Sequence, residues 1–220
     1  MIKLVIFDAG DILYNTVKAE IIRKVVREFL AKYGVKNFEE SERVWLKYGK
    51  LARIGKMSWE KVHEKWLEDI GLSRELMDEW REIWRKTWTK YVKKFPYVNE
   101  TLKILKKSYK LAILSNNIAN KEELIEKLEI LKIDHKLFDE IFTSHDIGYV
   151  KPQGEAYVTV LKYFNVNPEE AVFVGHDKDE IEGAKKVGLV TIVLHDKNAK
   201  GDYFANQFKD LPKIISGLIT

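Results

Sequence analysis

Residues 2–8 read Ile2-Lys3-Leu4-Val5-Ile6-Phe7-Asp8, and their reading decides the fold. Ile2–Phe7 is a short, β-branched apolar run of the kind found in parallel strands buried on both faces. It ends abruptly on a carboxylate. The same grammar returns after Pro96. Leu111–Leu114 reads as a strand and Lys121–Leu131 as a helix; Ile141–Ser144 is the next strand and Glu155–Phe164 the next helix. Asn167-Pro168-Glu169-Glu170 is a cap-and-proline signal beside the strand Val172–Val174. Glu180–Val187 forms a helix stopped by Gly188, before a strand at Thr191–Leu194. Alternation of this sort predicts an α/β fold, a doubly wound parallel sheet with helices on both faces. Its ligand belongs at the carboxyl ends of the strands.

Between these parts the pattern changes. Ile21, Ile22, Val25, Val26, Phe29 and Leu30 fall on one helical face, ended by Gly34. A second helix is expected over Phe38–Ile54, a third capped by Ser58 and a fourth capped by Ser73. The fourth carries a stripe of Met77, Trp80, Trp84, Trp88 and Tyr91, which reads as helix-bundle core rather than a nucleic-acid stacking platform. All seven Arg lie between Arg23 and Arg85, and all six Trp between Trp45 and Trp88. Residues 16–95 hold 20 Lys and Arg against 13 Asp and Glu, a net of +7, while the whole chain is +4 and the remainder therefore −3. The shift marks an inserted helical module. The expected division is a core of residues 1–15 and 96–220 with a module of residues 16–95, hinged near Tyr14–Thr16 and Lys94–Pro96. A field of that sign on a small module steers anions.

Composition excludes several classes. With 220 residues and 45% hydrophobic content there is enough chain for a core plus an insert. No cysteine is present, so neither disulfides nor thiolate metal sites are possible. No apolar stretch approaches the roughly 18 residues of a membrane span, and Met1 leads straight into the first strand, so a soluble, cytoplasmic protein is expected. Abundant Lys and Glu suit a heat-adapted protein.

Polar residues collect where the sheet rule wants them. Asp8 follows the first strand, Ser115 ends the second, Lys151 precedes the helix after the third, and His176, Asp177, Asp179 and Glu180 follow the fourth. A carboxylate can attack phosphorus and split one hard step into two. Carboxylates gathered around a phosphate call for a hard cation with oxygen ligands, such as Mg2+. A Ser hydroxyl can donate to a phosphoryl oxygen, and a Lys supplies positive charge where the transition state spreads negative charge.

Four segments in order resemble the motifs of the haloacid dehalogenase-like hydrolase superfamily. They are Lys3–Leu13, then Leu111-Ala112-Ile113-Leu114-Ser115-Asn116, then Gly148-Tyr149-Val150-Lys151-Pro152, and lastly Val172–Asp177 with Glu180-Ile181-Glu182-Gly183-Ala184 and Gly188. Phe95-Pro96-Tyr97-Val98 resembles the segment that re-enters the core after a helical cap. The resemblance implies a magnesium-dependent phosphatase acting on small phosphorylated metabolites through an aspartyl-phosphate at Asp8. In it Ser115, Asn116 and Lys151 hold the phosphate, and metal is held by Asp8, the Gly10 carbonyl, Asp177 and Glu180. It implies a cap that covers the site and selects the substrate; the composition shift adds that the cap is mobile, and the chain itself leads one to expect a monomer that binds neither nucleic acid nor membrane.

The chain also departs from that pattern. Where phosphatases of the family carry an acid–base Asp two residues after the nucleophile, Gly10 stands, followed by Asp11; Ile12 replaces a Thr. His176 stands where a metal-binding Asp is expected. Three readings stay open: Asp11 and Asp177 do the missing work, the enzyme is a slower phosphatase, or the site only binds phosphate. A 2-haloacid dehalogenase using an Asp8 ester without metal is a further alternative, since that branch also lacks the second Asp. His63, His135, His145 and His195 are expected on the surface, while Arg43 and Arg53 are candidates to meet an anion from the cap.

Overall fold

The structure is a computed structural model describing residues 1–195 and 199–218. β1 (Leu4–Phe7) lies near the middle of a six-stranded sheet. Its partners are β2 (Lys110–Ser115), β3 (Glu140–Thr143), β4 (Ala171–Gly175), β5 (Val190–Leu194) and β6 (Tyr203–Ala205), in the order β3-β2-β1-β4-β5-β6. Every pairing is parallel. Phe7 is in register with both Ile113 and Val174, so the carboxyl ends of β1, β2 and β4 open at one edge.

Both faces of these strands are covered. Val5, Phe7, Leu111, Ile113, Val172 and Val174 join one cluster with α5 (Val98–Leu105) and α6 (Lys121–Ile130). Leu4, Ile6, Ala112, Leu114 and Phe173 join another, with α8 (Gly154–Phe164) and α9 (Lys178–Val187). The two short helices α7 (Ser144–Ile147) and α10 (Leu211–Ser216) complete the core. An unbroken apolar strand is the consequence of burying both faces of the pleat.

The insert consists of α1 (Ala19–Lys32), α2 (Phe38–Arg53), α3 (Trp59–Asp69) and α4 (Met77–Tyr91). The Ser58 hydroxyl accepts from the Lys61 N–H and caps α3, as expected. Ser73 caps instead a 3-10 turn, Arg74–Leu76, and α4 begins only at Met77. Phe29, Leu30, Val44, Trp66, Leu67, Met77 and Trp80 form the insert's own core.

Two expectations are corrected here. The α4 stripe is not all bundle core: Met77 and Trp80 are, but Trp88 packs against the sheet cluster and Tyr91 is 38% exposed. A 15-residue helix rises roughly 22 Å, and this one runs from the cap core to the sheet domain, so its stripe changes partners on the way. His63 is not on the surface but buried inside the cap, its Nδ1 2.9 Å from the Trp59 carbonyl. His135 and His145 are half-buried, and His195 is exposed. The His145 ring Nδ1 lies 2.8 Å from the Ala52 carbonyl, which ties α7 of the core to α2 of the cap.

Burial drives the His63 pKa down from 6.5 to about 4; the Trp59 carbonyl opposes this and the Arg81 charge adds to it. In the unfolded chain the ring takes its proton near pH 6.5, in the folded one only near 4. Stability is therefore complete above pH 6.5 and is lost as pH falls towards 4, to the extent of about 3 kcal/mol. Urea melts of the wild type and His63→Gln at pH 7 and pH 4.5 check this. The wild type is expected to lose clearly more stability between the two values than the variant.

The cap joins the core by two crossings that hold each other. Tyr14 bridges Lys94, the Asn15 N–H donates to the Lys93 carbonyl, and the Lys93 N–H donates to Asn15 Oδ1. The Asn15 side-chain amide also donates to the Tyr91 carbonyl at 2.8 Å. Among the described residues no helix is long and apolar enough to cross a membrane.

Candidate active site

The carboxyl edge of the sheet gathers the groups. Asp8 leaves β1, Ser115 ends β2, Lys151 follows α7, His176 leaves β4 and Glu180 lies in the first turn of α9. The Lys151 ammonium is fully buried and lies 2.7 Å from Asp8 Oδ1 and 2.7 Å from Glu180 Oε2. Asp8 Oδ1 also accepts from the Ala9 N–H. Its other oxygen, Oδ2, faces His176 Nε2 at 3.7 Å. One nucleophile oxygen is thus pinned and the other is left towards the cleft, which encloses about 440 Å3.

Asn116 holds this arrangement together. Its amide donates to the Lys151 carbonyl and to Glu180 Oε1, while its oxygen accepts from the Lys151 N–H. Asn116 lines the cleft, and its hydrogen bonds also position the lysine turn. Gly183 lets α9 approach that turn, because a Cβ there would stand 2.6 Å from the Pro152 carbonyl oxygen. The Tyr157 hydroxyl donates to the Glu180 carbonyl, and burial holds the phenol protonated far above neutrality.

Charge follows from the packing. Burial alone would lower the Lys151 pKa, but Asp8 and Glu180 on either side raise it above the ordinary lysine value. The group is an ammonium at every working pH. Burial pushes the Glu180 carboxyl up; Lys151 pulls against that shift and Asp8 adds to it.

The departures at Gly10 and Asp11 have a steric cause. A Cβ on residue 10 would meet Thr16 Cγ2 at 2.9 Å, so an acid side chain there requires the Thr16 methyl to move. Asp11 takes a left-handed backbone, φ 55°, and turns its carboxylate to Thr16. Its Oδ1 accepts from the Thr16 N–H and its Oδ2 from the Thr16 hydroxyl. Asp11 lines the cleft, but both of its oxygens latch the first crossing into the cap.

The expected four-donor metal set is not assembled either. Asp177 Oδ1 caps α9 by accepting from the Asp179 and Glu180 N–H groups, and both Glu180 oxygens are taken by Lys151 and Asn116. Among the described residues no three His, Asp or Glu side chains come together to hold a metal ion. Asp8 Oδ2, which faces the cleft, and Asp177 Oδ2, which takes no part in the helix cap, are the carboxylate oxygens of the set outside these contacts.

The cleft has further walls. Arg53 of α2 lines it, as expected of a cap arginine, whereas Arg43 pairs with Glu40 on the surface. Tyr14, Trp84, Trp88 and Lys127 also line it, and their sequence contexts gave no sign of this. Burial holds the Lys127 ammonium below the usual lysine pKa.

Residues 5–194 match the family profile described as haloacid dehalogenase-like hydrolase. A glyceraldehyde 3-phosphate phosphatase from Methanopyrus kandleri is 31% identical over 198 residues, covering 87% of this chain and 83% of that one. One of the same name from Methanocaldococcus jannaschii is 27% identical over 99% of both chains. A solved 2-haloacid dehalogenase from Pseudomonas syringae superposes with a TM-score of 0.75 at 25% identity, over 98% of this chain and 99% of that one. A profile match across nearly the whole chain, on a site built at the carboxyl edge of the sheet, establishes that the chain belongs to the haloacid dehalogenase-like hydrolase family.

Proposed function

We propose that the enzyme hydrolyses small phosphomonoesters by attack of Asp8 Oδ2 on phosphorus. The P–O bond to the leaving alcohol breaks, an aspartyl-phosphate forms, and water then cleaves it to regenerate Asp8 and release phosphate. The observation that carries this reading is the buried Lys151 ammonium fixed between Asp8 and Glu180, with the second Asp8 oxygen open to the cleft. Lys151 fixes Asp8 Oδ1 in place and adds charge where the phosphoryl group passes. Ser115, buried at the end of the neighbouring strand β2 and lining the cleft, is the hydroxyl donor to the phosphoryl oxygens.

With the Asp11 oxygens held by Thr16, the leaving alcohol takes its proton from water. The loss of a positioned acid lowers turnover by roughly 10²–10⁴-fold, so a slow phosphatase is expected. Asp11→Asn should then cost less than about tenfold in kcat and act mainly on the cap crossing. A loss of a hundredfold or more, at unchanged stability, would restore Asp11 as the acid.

Magnesium belongs to this proposal as a partner of the bound substrate. A hard cation is commonly held by one or two carboxylates together with phosphate oxygens and water, and Asp8 Oδ2 with the Gly10 carbonyl provide that much. Bound there it would offset phosphoryl charge. Chelator should stop turnover and magnesium restore it. His176→Asp supplies the carboxylate that the site lacks. It is expected to lower the magnesium concentration for half-maximal activity by roughly tenfold or more, and to tighten magnesium binding in calorimetry to the same extent. Equal magnesium dependence in both proteins would show that residue 176 is not beside the cation.

A panel of phosphomonoesters and 2-chloropropionate, with magnesium and with chelator, tests the whole reading. Release of inorganic phosphate is the expected result. Halide release in chelator, with every phosphoester intact, would overturn it.

A further inference from the structure

The cap contains a second cavity of about 250 Å3, enclosed mainly by aromatic side chains. Trp45, Trp59, Trp66 and Trp80 form its walls, and His63 lies among them. It is continuous in its lining with the catalytic cleft, because Ile22 and Trp84 are walls of both. Ile118, on the loop that follows Ser115, closes the cavity from the core side.

Two polar groups within this apolar shell are unusual. Trp80 is 4% exposed, and its buried Nε1 donor has no hydrogen-bond partner among the described residues. Buried indole N–H groups ordinarily find an acceptor, and leaving one without costs free energy. Trp66 shows the ordinary case: its Nε1 donates to the Ser41 hydroxyl oxygen at 2.9 Å. His63 is the second group. Its Nδ1 lies 2.9 Å from the Trp59 carbonyl and so carries the ring proton. Burial keeps the ring neutral, with a pKa of about 4, so Nε2 is left as a bare acceptor.

We propose that this cavity is the leaving-group pocket of the enzyme. In it sits a flat, largely apolar ring that carries a hydrogen-bond donor for His63. The substrate class is then an aryl- or heteroaryl-bearing phosphomonoester, with its phosphate at Asp8 and its ring between the cap tryptophans. The inference rests on the phosphatase reading for the position of the phosphate, and on the cap alone for the ring. A dry cavity of about 150 Å3 accommodates benzene, so this one holds a larger ring or a ring with its linker. A three-carbon phosphate, such as the one in the names of the methanogen relatives, would leave it empty. The neutrality of His63 matters to the fit. An imidazolium there would repel cationic rings and remove the acceptor.

Two measurements on the intact chain test this. The first compares kcat/KM for ethyl phosphate with that for phenylpropyl and hydroxyphenylpropyl phosphates, the latter carrying the donor for His63. The ring-bearing esters are expected to be better by roughly tenfold or more, the discrimination typical of a filled apolar pocket. The second follows tryptophan fluorescence on titration with the corresponding free alcohols, which needs no catalysis. Saturable quenching is expected. Val26→Phe, which places a ring into the cavity from α1, should reduce both the preference and the quenching, provided its melting curve is intact. Quenching without any phosphate release would leave the pocket standing and overturn the phosphatase reading. Phosphate release with less than twofold preference and no quenching by the alcohols in the wild type would overturn the pocket.

Discussion

Asp8→Asn is expected to reduce phosphate release to background while the protein still folds. The substitution preserves shape and keeps an oxygen that can accept from the Ala9 N–H, but it removes the anionic oxygen that faces the cleft. An amide is not a competent nucleophile, and removing the nucleophile of a covalent mechanism costs on the order of 10⁴–10⁶ in kcat. The folding expectation has a separate basis. Lys151 retains Glu180 at 2.7 Å, so the buried ammonium is not left without a counter-charge. Intact melting curves with no turnover would fit the assignment. Turnover within tenfold of the wild type would refute it. A second readout is the trapped intermediate: acid-quenched wild type incubated with labelled substrate should carry phosphate on Asp8, and the variant should carry none.

How much of this was readable in advance depends on what each feature is made of. β1, β2 and β4 were legible because a strand buried on both faces is an apolar run, and a polar residue ends β2 or directly follows β1 and β4. Asp8 and Ser115 were legible for the same reason, at the ends of β1 and β2, while Lys151 beyond α7 and Glu180 within α9 were legible from the motifs around them. β6 was not. Tyr203–Ala205 has three residues, two of them exposed, and so carries no burial signal. The Asp11 contacts with Thr16 were not legible because they depend on backbone shape. A φ of 55° turns the carboxylate onto Thr16, and nothing in Gly10-Asp11-Ile12 announces that turn. His63 misled because burial of a single His on a helix depends on what the neighbouring helices bring, here Trp45, Trp59 and Trp80. The α4 stripe was readable as a helix face but not as a boundary crossing. Helical periodicity says which side is covered and not by which domain.

The largest effect on stability is expected at Lys151. Lys151→Met keeps much of the stem's volume but removes the charge between two carboxylates, one of which, Asp8, is 7% exposed. Asp8 and Glu180 are then left facing one another around an apolar group. Breaking a buried ion pair by deleting one partner typically costs about 3–5 kcal/mol, because the charge left behind has lost its solvent and its partner alike. The sign of the pH dependence separates this cause from mere misfitting. At neutral pH both carboxylates are charged in the unfolded variant, and folding must either bury both charges or bind a proton. The folded variant therefore binds protons more readily than its unfolded chain, and its deficit against the wild type should shrink as pH falls from 7 towards 5. A packing defect would show no such slope. The double variant Lys151→Met/Glu180→Gln removes one of the two charges. It should recover much of the lost stability at pH 7 while remaining without phosphatase activity, since the ammonium that serves the phosphoryl group is still missing. Chemical denaturation at pH 5, 6 and 7 on the three proteins decides the matter. A deficit independent of pH, or no recovery in the double variant, would mean that Lys151 stabilises the fold through its stem and not through the charge it holds between Asp8 and Glu180.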